Sequence, residues 1–328
     1  MRKSFYFKSL CFMLISFLLL LGCSNQQSSS DSSHQKINLR FAAGSQSGDW
    51  YPLAVGITEM MKKNMNNLDQ VSIEQGGGVA NVMSVNKKQT EIGFSHGMSI
   101  IDGIKGNPPF KEKNENLTYV VSLDPYYMQI AVLKGSGINK IEDLKGKRIN
   151  VGPKSATTEV AARMVLEAYG MSFEDMKSVE HLSHGDSVEQ MKDKRLDALF
   201  WVMGAPFGAM TDLTETKDIE FLPIPEDKIQ LLSDKNPAIL KGTIKAGTYR
   251  GQDTDVTTLK TPLAVVANKD APDDLVYEAT KTIFNGLSEL GKISPALKNV
   301  KPEDLPIDIG LSMHPGAKKF WEEQGLVK

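Results

Sequence analysis

The chain has 328 residues, with 40 acidic and 38 basic side chains and a formal charge of −2. That near balance, without a basic stripe, argues against a nucleic-acid binder, and the length can bury one large core or two lobes. Both cysteines, Cys11 and Cys23, lie at the N-terminal end, so the body is expected to hold no disulfide, no thiolate nucleophile and no cysteine metal site.

Arg2, Lys3 and Lys8 form a basic start, residues 10–21 are a nearly unbroken apolar run, and Leu20-Leu21-Gly22-Cys23 closes it. That is the order of a secretory signal, and about a dozen apolar residues fall short of the ~20 that span a bilayer as a helix. The closing residues resemble a bacterial lipobox, which implies removal of residues 1–22 and lipid attachment to Cys23. Loss of Arg2, Lys3 and Lys8 takes the formal charge from −2 to −5. The expected location is the cell membrane, lipid-anchored on its extracytoplasmic face. Each buried methylene of the acyl chains contributes roughly 0.8 kcal/mol to that hold. Residues 23–36 continue as a tether, since SNQQSSSDSSHQK has no large apolar side chain to bury. Within it, His34 is expected to be solvated.

From Ile37 strands and amphipathic helices alternate. Residues 38–43 read as a strand, followed by the turn Gly44-Ser45-Gln46-Ser47-Gly48 and by a helix with Pro52 at its first position. Leu53, Ile57, Met60 and Met61 recur there at helical spacing. A strand at 71–74, the turn Gly76-Gly77-Gly78, a helix from Val79 and a strand at 91–95 complete a βαβαβ pattern. The pattern restarts after Lys145-Gly146-Lys147. Residues 148–152 are a strand, 158–169 a helix stopped by Gly170, and 179–182 a strand. A helix opens at Ser187 with a Ser187 to Gln190 capping spacing, and 197–202 is the last strand. Two such units predict an α/β protein of two lobes whose strand ends face one cleft. Apolar stretches at 126–134 and 262–268 read as crossings between lobes, with the helices from Asp273 returning to the first. Lobe 1 is expected at 37–128 and 264–328, and lobe 2 at 129–263. Residues 205–260 show little periodicity.

The corners carry the recognition chemistry. Residues 44–48, 75–78 and 152–159 each place glycine and small hydroxyl residues between a strand and a helix. Free backbone N–H groups at a helix N-terminus suit a carboxylate-like anion, which points to Gly76, Gly77, Ser155 and Thr157. The residues that follow the first turn, Asp49-Trp50-Tyr51-Pro52, complete a set that resembles the TAXI-type receptors of TRAP transporters. The same resemblance extends through Gly76-Gly77-Gly78-Val79-Ala80-Asn81, Leu144-Lys145-Gly146-Lys147-Arg148, Thr158-Glu159, residues 197–201 and His314-Pro315-Gly316-Ala317. It covers roughly residues 37–328, in order.

The resemblance implies a type II periplasmic-binding-protein fold that closes on its ligand by a hinge. It also implies a TRAP membrane subunit, usually fused, and a glutamate- or glutamine-like amino acid or dicarboxylate as ligand. By position it implies Ser45, Gln46, Ser47, Trp50, Tyr51, Asn81, Thr158 and Trp201 in the cleft. The chain departs from the usual pattern at Asp49, Gln75, His96, Ala156 and Asp124-Pro125-Tyr126; Asp49, Gln75 and His96 are carried as ligand-binding candidates. A buried Asp49 or Asp124 repels a second ligand carboxylate unless it meets an amine or is protonated. A ligand with one carboxylate and a cationic or neutral polar end therefore suits the cleft.

Enzyme readings fare poorly. Residues 44–48 lack the G-x-S-x-G spacing of a nucleophile elbow, and the glycines at 76–78 lack the Lys-Ser/Thr of a phosphate-binding loop. His181 and His184 lie three apart without a metal motif around them, so a surface or turn role is expected. Arg148 and Arg195 read as solvated, Arg163 as paired with Glu159 four residues earlier, and Arg250 stays open. No catalytic group, metal or cofactor is expected. The alternative to a transport receptor is a ligand-binding input for a sensor kinase, built on the same fold.

Overall fold

The computed structural model describes residues 36–46, 48–307 and 309–327; the expected signal, the lipidated Cys23 and the tether up to residue 35 lie outside them. Strand β1 (Ile37–Ala42) alternates buried Ile37, Leu39 and Phe41 with exposed Asn38 and Arg40, the period of a strand with one face on a core. Helix α1 (Trp50–Asn64), β2 (Leu68–Glu74), α2 (Gly78–Asn86), β3 (Ile92–His96) and α3 (Gly97–Lys105) follow. The three strands are parallel in the order β2-β1-β3. Strand β3 is buried along its whole length, as a central strand covered on both faces must be.

A second set repeats the arrangement. It runs β5 (Arg148–Asn150), α4 (Thr157–Ala168), β6 (Ser178–Glu180), α5 (His184–Lys192), β7 (Ala198–Met203) and α6 (Gly208–Thr216), with parallel order β6-β5-β7. In both sets each helix starts at the carboxyl end of a strand, where open parallel sheets bind ligands.

Two long strands, β4 (Leu117–Leu133) and β10 (Val256–Asn268), join the sets. Antiparallel pairing ties β10 to β3 over 263–267 and to β4 over 260–268, while residues 127–132 of β4 pair with β7. One curled sheet results, ordered β2-β1-β3-β10-β4-β7-β5-β6. Short β8 (Ile219–Phe221) extends β4, β9 (Leu240–Ile244) extends β10, and α7 (Glu226–Lys235) lies between them.

The chain's end returns to the first set. Helices α8 (Asp273–Asn285) and α9 (Leu287–Ile293) pack on α1, and α10 (Pro315–Glu323) packs on α8 and β4. Gly316 permits the close crossing: a Cβ there would stand 2.1 Å from the Asp273 carbonyl oxygen. Fully buried Trp321 donates from Nε1 to the Val120 carbonyl at 3.0 Å. Among the described residues no helix is long and apolar enough to cross a membrane.

Three local expectations are corrected. Helix α5 begins at His184, not Ser187: Ser183 is the cap, its Oγ accepting from Asp186 N at 3.2 Å, while Ser187 donates back to the His184 carbonyl. Pro52 is the third residue of α1 rather than its first. Arg148 is not solvated; its guanidinium forks onto Asp197 at 2.7 and 3.0 Å. That contact, led by the hydrogen bond, holds the Asp197 carboxyl below the usual carboxylate range.

Candidate functional site

Asp49 occupies the N-cap position of α1 without capping it. Its Oδ2 instead accepts from Tyr126 Oη at 2.5 Å and from Ser294 Oγ at 3.3 Å. Trp50 Nε1 donates to the same tyrosine oxygen at 3.1 Å. An indole N–H is donor only, so Tyr126 accepts from Trp50 and passes its own hydrogen to Asp49. Asp49 Oδ1 is buried with no hydrogen-bond partner among the described residues. Burial raises the Asp49 pKa, against the opposing hydroxyls of Tyr126 and Ser294.

The corner between β2 and α2 is built for close approach. A Cβ on Gly76 would stand 2.0 Å from Asn81 Oδ1, one on Gly78 1.9 Å from Thr157 Oγ1, and one on Gly77 3.3 Å from Ala156 Cα. Ala156 and Thr157 belong to the second strand set, so the two corners touch across the cleft. His96, at the end of β3, completes the bridge. Its Nδ1 lies 2.8 Å from Thr157 Oγ1, which is also 2.9 Å from Ser99 Oγ. The ring packs against Trp50 and Tyr126 at centroid distances of 4.8 and 5.1 Å. Its Nε2 is buried without a partner among the described residues, and burial pushes the imidazole pKa down to about 3.

Across the cleft stands the corner between β5 and α4. Gly152 and Ser155 take left-handed φ values of 75° and 63°; the serine holds a conformation that disfavours side chains. Ser155 N donates to Glu159 Oε2 at 3.1 Å, so that backbone donor is already engaged. Thr158 Oγ1 accepts from Val202 N at 3.2 Å, fixing α4 to β7. His184, first residue of α5, packs edge-on to Trp201 and Phe207, and its Nδ1 is buried and unpartnered among the described residues. Burial lowers its pKa to about 4.

These corners enclose one cleft of about 570 Å³, open solvent at its mouth included. From the first set it is lined by Gly44, Ser45, Gly48, Asp49, Trp50, the three glycines at 76–78 and His96. The second set contributes Pro153, Lys154, Ala156, Thr157, Thr158, His184, Val202 and Met203. The structure thus brings together Ser45, Asp49, Trp50, Gly76, Gly77, His96, Thr157 and Thr158 of the residues singled out from the sequence.

Others are placed elsewhere. Gln46, Gln75 and Ser155 are exposed outside the lining, and Tyr51 is half-buried on α1. Asn81 is a buried staple, its Nδ2 donating to the carbonyls of Ala43 and Phe94 at 2.7 and 2.9 Å. Trp201 is buried behind His184. Ser47 lies outside the described residues, and the Asp124 side chain is not described. His184, expected at a surface or turn, is the main addition; its corner was hidden once α5 was started at Ser187. Tyr126 and Ser294 also escaped notice as Asp49's partners, because 168 residues separate them in sequence and only the return of the C-terminal helices brings Ser294 back.

Among the described residues no arginine lines the cleft. Arg163 pairs with Glu159 at 3.5 Å, as the four-residue spacing suggests, and Arg250 Nε donates to the Thr214 carbonyl at 2.8 Å. Among the described residues no group of three or more His, Cys, Asp or Glu side chains stands ready to hold a metal ion.

The profile of the NMT1-like family matches residues 41–325. Among solved structures, the alkanesulfonate-binding protein SsuA from Xanthomonas axonopodis pv. citri, bound to MOPS, has a TM-score of 0.52 at 15% identity, covering 90% of this chain and 95% of that one. PhnD1 from Prochlorococcus marinus, in complex with methylphosphonate, has a TM-score of 0.54 at 12% identity, over 88% and 99% of the two chains. A structure described with glutathione import via GshT and the cystine ABC importer TcyBC of Streptococcus mutans has a TM-score of 0.50 at 11% identity, over 82% and 100%. The shared architecture is the two-lobed periplasmic-binding-protein fold.

Proposed function

From the premise that this chain belongs to the NMT1-like family, we propose that it is an extracytoplasmic solute-binding protein that hands its solute to a membrane transporter. The solute in this reading is a small carboxylate-bearing metabolite, a glutamate- or glutamine-like amino acid or a dicarboxylate, held between the lobes by hinge closure. One observation carries it: strand-to-helix corners from both strand sets face one cleft and meet across it, through His96, Ser99 and Thr157. The first N–H groups of a helix have no partner within it, and α2 and α4 both begin at the cleft wall. They suit the carboxylate. Lobe 1 takes residues 37–128 and 264–328 and lobe 2 residues 129–263, with β4 and β10 as the connection. Cys23 anchors the protein to the membrane by lipid.

The ordered TAXI-like motifs favour a TRAP permease, fused or in two parts. An ABC importer is the second reading, favoured by the likeness in fold to the structure described with the ABC importer of Streptococcus mutans. Neither reading requires a bond to be made or broken.

A thermal-shift screen across amino acids, 2-oxoacids and C4 to C6 dicarboxylates tests the proposal. A true ligand at a hundredfold excess over Kd stabilises the fold by about 2.7 kcal/mol. If no compound raises the melting temperature, the reading fails.

A further inference from the structure

We infer that the solute carries a protonated amine and that Asp49 receives it; the inference rests on the solute-binding reading and sharpens its ligand class. Asp49 lines the cleft, yet one of its oxygens takes both hydroxyl donors and the other has no partner among the described residues. The direction of those bonds matters. Tyr126 accepts from Trp50 Nε1 and donates to Asp49 Oδ2, and Ser294 adds a second donor to the same oxygen. Burial outweighs those two donors and leaves the Asp49 pKa raised, although each donor favours the ionised form. A buried carboxylate without a cation is costly, and among the described residues the side chains that bond to Asp49 are the neutral hydroxyls of Tyr126 and Ser294.

The cleft's other titratable groups do not fill the gap. His96 and His184 are held neutral by burial, and exposed Lys154 comes from the opposite corner. The two imidazoles add to the pattern. His96 Nε2 is buried and unpartnered among the described residues, and it is a further acceptor in the tautomer that carries its proton on Nδ1. His184 Nδ1 is likewise buried and unpartnered among the described residues. An ammonium group has three donors and no acceptor; Asp49 Oδ1 is an acceptor without a partner among the described residues, and the ammonium of Lys154 stands on the opposite corner. A dicarboxylate would set a second anion against Asp49, whereas an amino acid offers its amine there and its carboxylate to the helix N-termini of α2 and α4.

The test uses the detergent-solubilised full chain. Proteinogenic L-amino acids are titrated beside the 2-hydroxy acids that replace the amine by a hydroxyl, together with C4 to C6 dicarboxylates and putrescine. The expected result is an amino acid that binds about 30-fold or more tightly than its hydroxy acid. Asp49→Asn, which keeps the shape and removes the charge, is expected to lose about the same factor, the scale set by losing one partner of a buried charge pair. If Asp49→Asn does not fold, the matched pairs on the unaltered chain decide. Hydroxy acids or dicarboxylates binding as tightly as amino acids overturn the inference and leave the solute-binding reading intact. Binding of putrescine alone upholds the amine and removes the carboxylate. No binding in any arm overturns both.

Discussion

At Gly78 the requirement is for space. A methyl there would stand 1.9 Å from Thr157 Oγ1, an atom already held by His96 and Ser99. Gly78 opens α2, where alanine is a better helix former. Gly78→Ala is therefore expected to leave the melting temperature of the empty protein level or higher while cutting ligand-induced stabilisation severely. Equal ligand shifts in the two proteins would show that the corners need not meet for binding. The buried imidazoles give a second residue-scale expectation. His96 and His184 fall from 6.5 to about 3 and about 4, so between those values and 6.5 the unfolded chain binds protons that the folded chain refuses. The stability they contribute is complete above pH 6.5 and is lost on acidification, toward pH 4 for His184 and toward pH 3 for His96. Each imidazole adds about 1.4 kcal/mol per pH unit to the slope within that window. Urea unfolding at pH 7 and pH 5 measures it, and His96→Asn should flatten the dependence by one proton.

The elements differ in how openly their sequences declare them. Strand β1 alternates cleanly, and α4 carries Ala161, Ala162, Val165 and Leu166 on one buried face before Gly170 ends it with φ 69°; both were legible. Helix α3 is not legible, because it follows β3 without an intervening turn and its nine residues include the poor helix formers Gly97 and Gly103. Residues 205–260 hold α6, α7 and two strands of three and five residues, too short for periodicity to speak. The cleft was legible where chemistry is local: the glycines at 76–78 and the hydroxyls at 157–158 announce a strand-to-helix corner. It was illegible where partners come from afar, as with Ser294 on Asp49, or where a polar side chain such as Asn81 spends its amide on backbone carbonyls. At α5 the misplaced start makes a direct test. Ser183 accepts from Asp186 N at 3.2 Å, so Ser183→Ala should cost about 1 kcal/mol in chemical denaturation, whereas a cap at Ser187 predicts no loss.

The described residues form two strand sets joined by two long strands, and the fold sets Gly77 against Ala156. A Cβ built on Gly77 lies 3.6 Å from Ala156 Cβ, within the ~3.5–4.5 Å that a disulfide spans between β-carbons. Gly77 has an extended backbone, φ −165°, which any residue adopts. The chain's own cysteines, Cys11 and Cys23, precede the described residues. Gly77→Cys with Ala156→Cys should therefore form a bridge on oxidation, with loss of two reactive thiols, and hold the lobes shut. Apparent affinity scales with the fraction of protein in the binding-competent form. If solute enters only through the open form, oxidation before solute is added should slow association by about a hundredfold or more, and reduction should restore it. Oxidation after loading should retain the solute through dialysis. A bridged protein that binds and releases as fast as the reduced one would mean that solute reaches the cleft without separation of these corners, and that β4 and β10 do not act as a hinge for entry.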